Sequence, residues 1–195
     1  MLEKDKFLEK IKYTIFFSIV FFSQTLIAEA TKSKIIKYNN SLTNSSALFL
    51  QSDNKSIEEG EIYFGINRIK INYKQPKKLT LILSEKKGMY TNHSLEETSF
   101  FNTNKSYIKV FFKILRGDSF SEKLKVSEGF FELSENFILN DNFYKIKIIY
   151  ESNPIKLRKV VVLENNQKIE MGFYNHKNVK GFENNFFSMV DPYLN

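Results

Sequence analysis

The chain has 195 residues, of which 42% are hydrophobic and 26% are charged, and its net charge is +7. This length and composition predict one globular domain and exclude a mostly disordered chain. The absence of Cys and the presence of only two His exclude disulfides, thiolate zinc sites, iron–sulfur clusters and imidazole-rich metal centres. The basic charge favours anionic lipid or acidic protein as a partner.

Residues 1–30 have the pattern of a cleaved secretory signal peptide. A polar stretch with four Lys and three acidic residues precedes an apolar run, which ends at residues 28–30 on an A-x-A pattern of small residues. The run is shorter and more interrupted than a membrane span of about 20 residues, although an uncleaved N-terminal anchor is an open alternative. We therefore expect export to the periplasm and one mature domain over residues 31–195. Because the protein would be exported, nucleic acid is not an expected partner.

The chain after residue 30 is dominated by strand patterns. Residues 31–42 have a loosely helical spacing of apolar side chains and predict a short helix. Period-two alternation then predicts six strands, at residues 61–65, 68–74, 78–84, 144–150, 155–163 and 169–173. Turn residues separate neighbouring runs, and each run has one apolar and one polar row. The pattern predicts one long antiparallel sheet, which is curled because strands twist.

Residues 104–117 break this pattern and predict an amphipathic helix, capped by Asn104 and Gly117. Its apolar side is formed by Tyr107, Ile108, Phe111, Phe112 and Leu115. Its opposite side is basic and carries Lys105, Lys109, Lys113 and Arg116. Such a helix could close the open side of the sheet as ordinary core, cover a lipid cavity as a movable lid, or dock on an anionic membrane.

The sequence has no catalytic motif. It lacks a G-x-S-x-G elbow, a P-loop, a dinucleotide-binding glycine pattern and an H-E-x-x-H helix. His93 and His176 lie in polar stretches that predict turns or loops, with no nucleophile specified nearby. Adjacent carboxylates, as at Glu58-Glu59 and Glu96-Glu97, point to opposite faces of a strand and cannot act as a pair on one substrate. We therefore expect no enzyme, no cofactor and no metal site.

Several short stretches, taken in order, carry a resemblance to a known family. They are the F-x-Q pattern of Phe49-Leu50-Gln51, residues 60–64 and 69–76, residues 89–97, the predicted helix, and the F-x-x-x-x-P tail at residues 187–192. In this order they resemble the periplasmic outer-membrane lipoprotein carrier family (LolA-like). One departure concerns the family's Arg-Pro, which falls on Gly65-Ile66 here. Gating of the lid by that Arg is therefore not expected, and Arg68, on the other face of the strand, is not expected to replace it.

The resemblance implies a mainly β (α+β) fold, in which a single curved antiparallel sheet forms an incomplete β-barrel and short helices cover its open, concave side. It also implies a monomeric carrier that shields the acyl chains of lipoproteins in a hydrophobic cavity and ferries them from the inner to the outer membrane. The implied partners are the lipoprotein cargo, an inner-membrane lipoprotein-releasing transporter and an outer-membrane acceptor.

Apolar side chains of the sheet and the helix would line such a cavity, although a filled core has the same sequence pattern. The predicted acyl-chain-binding residues are Phe49, Ile62, Phe64, Ile69, Ile71, Tyr73, Leu81, Leu83, Phe111, Phe112 and Leu115. The alternative function is a peripheral binding module for anionic membrane lipid. That module would make its membrane or partner contacts through Lys105, Lys109, Lys113 and Arg116.

Overall fold

The computed structural model describes residues 29–53, 55–116, 124–139, 141–165 and 167–194. Helix α1 occupies residues 29–41, and helix α2 (Tyr107–Arg116) follows a 3-10 turn at Thr103–Lys105. The strands are β1 (Ser45–Ser52), β2 (Ile57–Gly65), β3 (Arg68–Gln75), β4 (Leu79–Ser84), β5 (Lys87–Asn92), β6 (Glu97–Asn102), β7 (Leu124–Ser127), β8 (Phe130–Leu139), β9 (Asn142–Ser152), β10 (Ile155–Glu164) and β11 (Gln167–Asn178). Residues 1–28 of the predicted signal peptide lie outside the described residues.

Across these ranges the strands form a single antiparallel sheet in the order β6-β5-β4-β3-β2-β1-β11-β10-β9-β8-β7. Strand β1 lies at the centre because it pairs with β2 on one side and with β11 on the other. Two meanders, β2–β6 and β7–β11, extend from this centre in opposite directions. The sheet is not closed, since β6 and β7 are its two edges, and α2 lies in the connection between them. The predicted fold class is thereby confirmed.

The apolar row of each strand faces the helices and forms the core on the concave side of the sheet. Its most deeply buried side chains come from both meanders and include Phe49, Ile62, Ile146, Ile148, Tyr150, Leu157 and Phe173. Register aligns them, because Phe49 of the central strand lies opposite Phe173 of β11 and Gly60 of β2. A side chain at Gly60 would collide with the Phe49 ring, since a Cβ there would lie 2.8 Å from it.

Helix α1 is attached to β9 and β10 by both apolar and polar contacts. Ile35 is fully buried in the core, and the Tyr38 ring meets the Tyr150 ring edge-to-face at 6.0 Å. The backbone N–H of Leu157 donates to the Tyr38 hydroxyl at 2.9 Å, and the Tyr150 hydroxyl donates to Asn39 Oδ1 at 3.1 Å. Burial raises the pKa of Tyr150, which keeps this hydroxyl protonated and able to donate.

The C-terminal segment, residues 179–194, lies against the convex face of β2–β6. The rings of Phe182, Phe186 and Phe187 contact one another, and the first two also contact Tyr63. The Arg68 guanidinium donates to the carbonyl oxygen of Phe187 at 2.7 Å. This segment therefore covers the polar row of the strands and leaves the concave side to the helices.

Three local predictions are corrected by the structure. Helix α2 begins at Tyr107 and not near Asn104, because Ser106 Oγ accepts a hydrogen bond from the Ile108 N–H at 3.3 Å and Asn104 belongs to the 3-10 turn. His176 lies in β11 and not in a loop, and its Nε2 is 2.9 Å from the carbonyl oxygen of Leu157. Residues 90–92, which belong to the polar stretch around His93 that predicts a turn, lie in β5.

Candidate functional site

An apolar cavity of about 110 Å³ lies between α2 and the concave face of the sheet. We call it the α2 cavity. Its cover is formed by Ile108 and Phe111 of α2, both of which are half-buried. Strands from both meanders form its floor, so the cavity spans the centre of the sheet. Because its walls are almost entirely hydrocarbon, the cavity suits an apolar ligand.

Most of the predicted sheet residues line the α2 cavity. They are Ile62, Ile69, Ile71, Tyr73, Leu81 and Leu83, and the helix adds the predicted Phe111. Phe49 lies instead within the filled core, where its ring packs edge-to-face on the Tyr73 ring at 5.1 Å. The apolar rows predicted from the sequence therefore line the cavity at some positions and form packed core at others.

The C-terminal meander supplies a wall that the predicted set lacks. These side chains are Ile146, Val160, Val162, Ile169, Met171 and Phe173. Their period-two alternation is visible in the sequence, so the strands themselves were predicted. What places them in the cavity is the pairing of β1 with β11, which sets Met171 opposite Gln51. When two strands are separated by more than 100 residues in the sequence, periodicity alone cannot predict that they pair.

The polar groups of the α2 cavity bind one another. Gln51 and Tyr73 line it, and the Tyr73 hydroxyl donates to Gln51 Oε1 at 3.1 Å. Gln51 Nε2 in turn donates to Glu58 Oε2 at 2.9 Å. Tyr73, Gln51 and Glu58 thus satisfy one another by hydrogen bonds. A hydrocarbon ligand could therefore fill the cavity without breaking these bonds.

Helix α2 covers the cavity with a mixture of core and lining residues. Phe112 and Ile114 are buried, and the Phe112 ring contacts the Phe111 ring at 6.4 Å between centroids. The remaining predicted side chains Phe64, Phe112 and Leu115 line a second cavity of about 150 Å³. We call this space the arginine cavity, because Arg68 and Arg116 also line it.

The basic side of α2 does not act as one uniform surface. Arg116 forms a two-pronged ion pair with Glu85 in the β4–β5 turn, with N–O distances of 2.9 and 3.0 Å. This guanidinium lowers the pKa of the Glu85 carboxyl. Lys113 is exposed and Lys109 is half-buried, whereas the side chain of Lys105 lies outside the described residues. Arg116 therefore ties the end of α2 to the sheet.

His93 is the group that comes nearest to a catalytic arrangement in the described part of the chain. Its Nε2 lies 2.8 Å from Thr80 Oγ1, and its Nδ1 lies 2.8 Å from the Tyr193 hydroxyl. It is exposed, and neither it nor its two partners line the α2 cavity or the arginine cavity. The contacts join the C-terminal segment to β4. No group of three or more metal-ligating side chains occurs among the described residues.

Within the described ranges, no helix combines the length and the hydrophobicity that a bilayer crossing requires.

Neither a family model nor a curated protein matches this sequence. Three solved structures are similar to this chain over most of its length. A conserved protein from Thermus thermophilus has a TM-score of 0.48 and 8% identity over 80% of this chain and 89% of its own. An outer membrane lipoprotein-sorting protein domain from Vibrio parahaemolyticus has a TM-score of 0.41 and 8% identity over 79% of this chain and 94% of its own. LprF from Mycobacterium bovis has a TM-score of 0.32 and 9% identity over 76% of this chain and 93% of its own. The likeness is one of structure alone and shows nothing about what this chain binds.

Proposed function

We propose that this chain is a periplasmic carrier that holds the acyl chains of lipoproteins in the α2 cavity and moves them between membranes. The observation that supports this proposal is the hydrocarbon-lined space between the sheet and an amphipathic helix. A lipoprotein-releasing transporter would load the carrier and an outer-membrane acceptor would unload it. The chain would act as a monomer, without catalysis.

The physical need for such a carrier follows from the hydrophobic effect. Exposing acyl chains to water costs about 0.8 kcal/mol per CH₂, or about 10 kcal/mol for a twelve-carbon chain. A protein that shields the chains must also release them. Walls that attract by apolar contact and offer few free hydrogen-bonding groups suit both steps, because they hold the ligand without fixing it in one pose.

The size of the α2 cavity requires α2 to move. At about 110 Å³ it is smaller than the engineered cavity of about 150 Å³ that holds benzene, and a whole acyl chain does not fit. Lifting α2 would expose Phe112 and Ile114, at about 1.5–3 kcal/mol for each side chain. Since an entering chain buries many CH₂ groups at about 0.8 kcal/mol each, its burial offsets that cost.

Binding of a hydrophobic fluorescent dye tests the proposal. We expect Ile71→Asp and Phe111→Asp to abolish dye binding, because each places a charge in the wall or the cover of the α2 cavity. The matched control is Ile66→Asp, since Ile66 is 76% exposed in the β2–β3 turn and lines neither cavity. Near-UV circular dichroism would show that each variant is folded. Unchanged dye binding in a folded Phe111→Asp variant would contradict the proposal.

Isolation of the protein from periplasm tests the finer assignment. We expect a lipid-modified polypeptide to co-purify with the wild type and not with Phe111→Asp. The alternative function, a module for anionic membrane lipid, predicts attachment to anionic vesicles that salt reverses and that Lys113→Gln weakens. Vesicle flotation without dye uptake would favour that alternative over the carrier.

A further inference from the structure

The arginine cavity differs in chemistry from the α2 cavity that it adjoins. Ile69 lines both, and neighbouring residues of α2 divide them, since Phe111 lines one and Phe112 the other. The arginine cavity also has Asn39, Asn67, Arg68 and Arg116 in its walls, and no Asp or Glu of the described residues lines it. A pair of adjoining spaces, one apolar and one rich in donors, fits a molecule with an apolar chain and a polar end.

Asn39, which lines this cavity, has a buried amide donor without a partner in the described part of the chain. The residue is 93% buried, and its Oδ1 already accepts the hydrogen bond from the Tyr150 hydroxyl. Its Nδ2 has no acceptor among the described residues. A buried amide without a partner is unfavourable, and native structures usually satisfy such a group with water or a ligand. A ligand oxygen in the arginine cavity would supply the missing acceptor.

Arg68 brings positive charge that no described carboxylate neutralises. Its Nη1 donates to the carbonyl oxygen of Phe187, and it forms no ion pair with an acidic side chain of the described residues. A guanidinium has five N–H donors, so one bond to a neutral carbonyl leaves others for a ligand. Arg116 adds a second guanidinium to the wall, although Glu85 already pairs with it.

We propose that the arginine cavity binds the anionic head group, a phosphate or a carboxylate, of an amphiphile whose hydrocarbon chain occupies the α2 cavity. The inference rests on the proposed function, because it uses the α2 cavity to which that proposal assigns a hydrocarbon chain. Charge-assisted bonds from Arg68 and the free amide of Asn39 would hold the anionic oxygens. The carrier would thereby prefer an anionic amphiphile to a neutral one of equal chain length.

Competition with the bound dye by dodecyl phosphate and by dodecanol tests this inference. We expect wild-type protein to bind dodecyl phosphate about tenfold more tightly than dodecanol. Arg68→Gln should weaken dodecyl phosphate binding and bring the two affinities together. Asn39→Asp should do the same, because it keeps the oxygen that Tyr150 needs and replaces the free donor with a carboxylate oxygen.

The matched control is Lys70→Gln. Lys70 lies two residues from Arg68 in β3, binds the same C-terminal segment through the carbonyl oxygen of Phe186, and lines neither cavity. Lys70→Gln and Arg68→Gln each remove one positive charge. If the preference for dodecyl phosphate over dodecanol survives in Lys70→Gln and disappears in Arg68→Gln, that preference belongs to the arginine cavity. Loss of the preference in both variants would assign it to the general basic charge and overturn the inference.

The remaining outcomes separate this inference from the proposed function. Equal affinity of the wild type for dodecyl phosphate and dodecanol would overturn the head-group site and leave the carrier proposal intact. Failure of both amphiphiles to displace the dye would contradict the carrier proposal itself. If inorganic phosphate alone bound with the same dependence on Arg68, the site would serve a free anion and its link to the α2 cavity would be overturned.

Discussion

Helices α1 and α2 both lie on the concave face of the sheet, but different interactions attach them. Helix α1 combines the buried side chain of Ile35 with hydrogen bonds from Leu157 to Tyr38 and from Tyr150 to Asn39. These bonds join α1 to two strands at once, and the bond between Tyr150 and Asn39 is buried. A buried hydrogen bond has a required geometry, so α1 can move only if it leaves polar groups without partners.

Helix α2 has no comparable bond from its middle to the sheet among the described residues. Its buried side chains, Phe112 and Ile114, make apolar contacts, and its polar tie is the exposed ion pair between Arg116 and Glu85. Apolar contacts have no preferred direction and can form again with another apolar partner. Helix α1 therefore belongs to the framework of the fold, whereas α2 is held mainly by contacts that another apolar partner could replace.

The largest expected change in stability comes from a substitution that breaks the attachment of α1 to the sheet. Tyr150→Ala should lower the free energy of unfolding by about 3–5 kcal/mol, because it leaves a cavity in the core and removes the partner of Asn39. Phe111→Ala, on the α2 side, should lower it by about 1 kcal/mol, because this side chain is only half-buried. Urea denaturation measures both. Equal losses would contradict the difference between the two helices.

A smaller effect isolates the hydrogen bond of α1. Tyr150→Phe keeps the ring against Tyr38 and removes only the hydroxyl that donates to Asn39. We expect a loss of about 1–2 kcal/mol in the free energy of unfolding and no change in dye binding. Thermal unfolding and dye titration of the same sample test both expectations. A Tyr150→Phe variant that bound dye more tightly would show that α1 also gates the cavity.

The smallest effect concerns the tie at the end of α2 and depends on pH. Arg116 lowers the pKa of Glu85 below its ordinary value, so the ion pair is complete above that ordinary value and is lost as pH falls through the lowered one. Dye should therefore enter the α2 cavity of the wild type faster in acid. In the Glu85→Gln variant, dye should enter at this faster rate at every pH. Stopped-flow fluorescence measures these rates.

The control for this last prediction is Lys113→Gln. Lys113 is exposed on α2, and Lys113→Gln removes a positive charge from the helix while leaving the ion pair between Arg116 and Glu85 in place. We expect Lys113→Gln to retain the wild-type pH dependence of dye entry. If Lys113→Gln lost the pH dependence as Glu85→Gln does, the ion pair between Arg116 and Glu85 would not be what sets the rate.

Sequence periodicity predicted the elements whose two faces differ strongly. Strands β3 and β9 have a buried apolar row and a solvated polar row, so alternation was sufficient to find them. Strand β8 was not predicted, because residues 130–139 alternate poorly and most of its side chains are half-buried or exposed. The edge strands β6 and β7 were missed for the same reason, since an edge has little buried surface to impose a pattern.

The candidate site was predicted in part, and its missing features depend on long-range pairing. Helix and strand periodicity placed Phe111 and Ile71 on apolar faces, and the resemblance to a lipoprotein carrier assigned those faces to a cavity. The pairing of Arg116 with Glu85 could not be predicted, because helical spacing placed Arg116 on an outer, solvated face. The unused amide of Asn39 was also invisible, since it depends on α1 docking against Tyr150 of β9.

The most direct measurement is the set of intermolecular NOEs between the methyl groups of the protein and the chain protons of bound dodecyl phosphate. We expect contacts from Ile71, Leu81 and Met171, which line the α2 cavity, and none from Ile35 or Leu157, which lie in the filled core. Contacts confined to exposed side chains such as Ile138 and Leu194 would contradict this expectation.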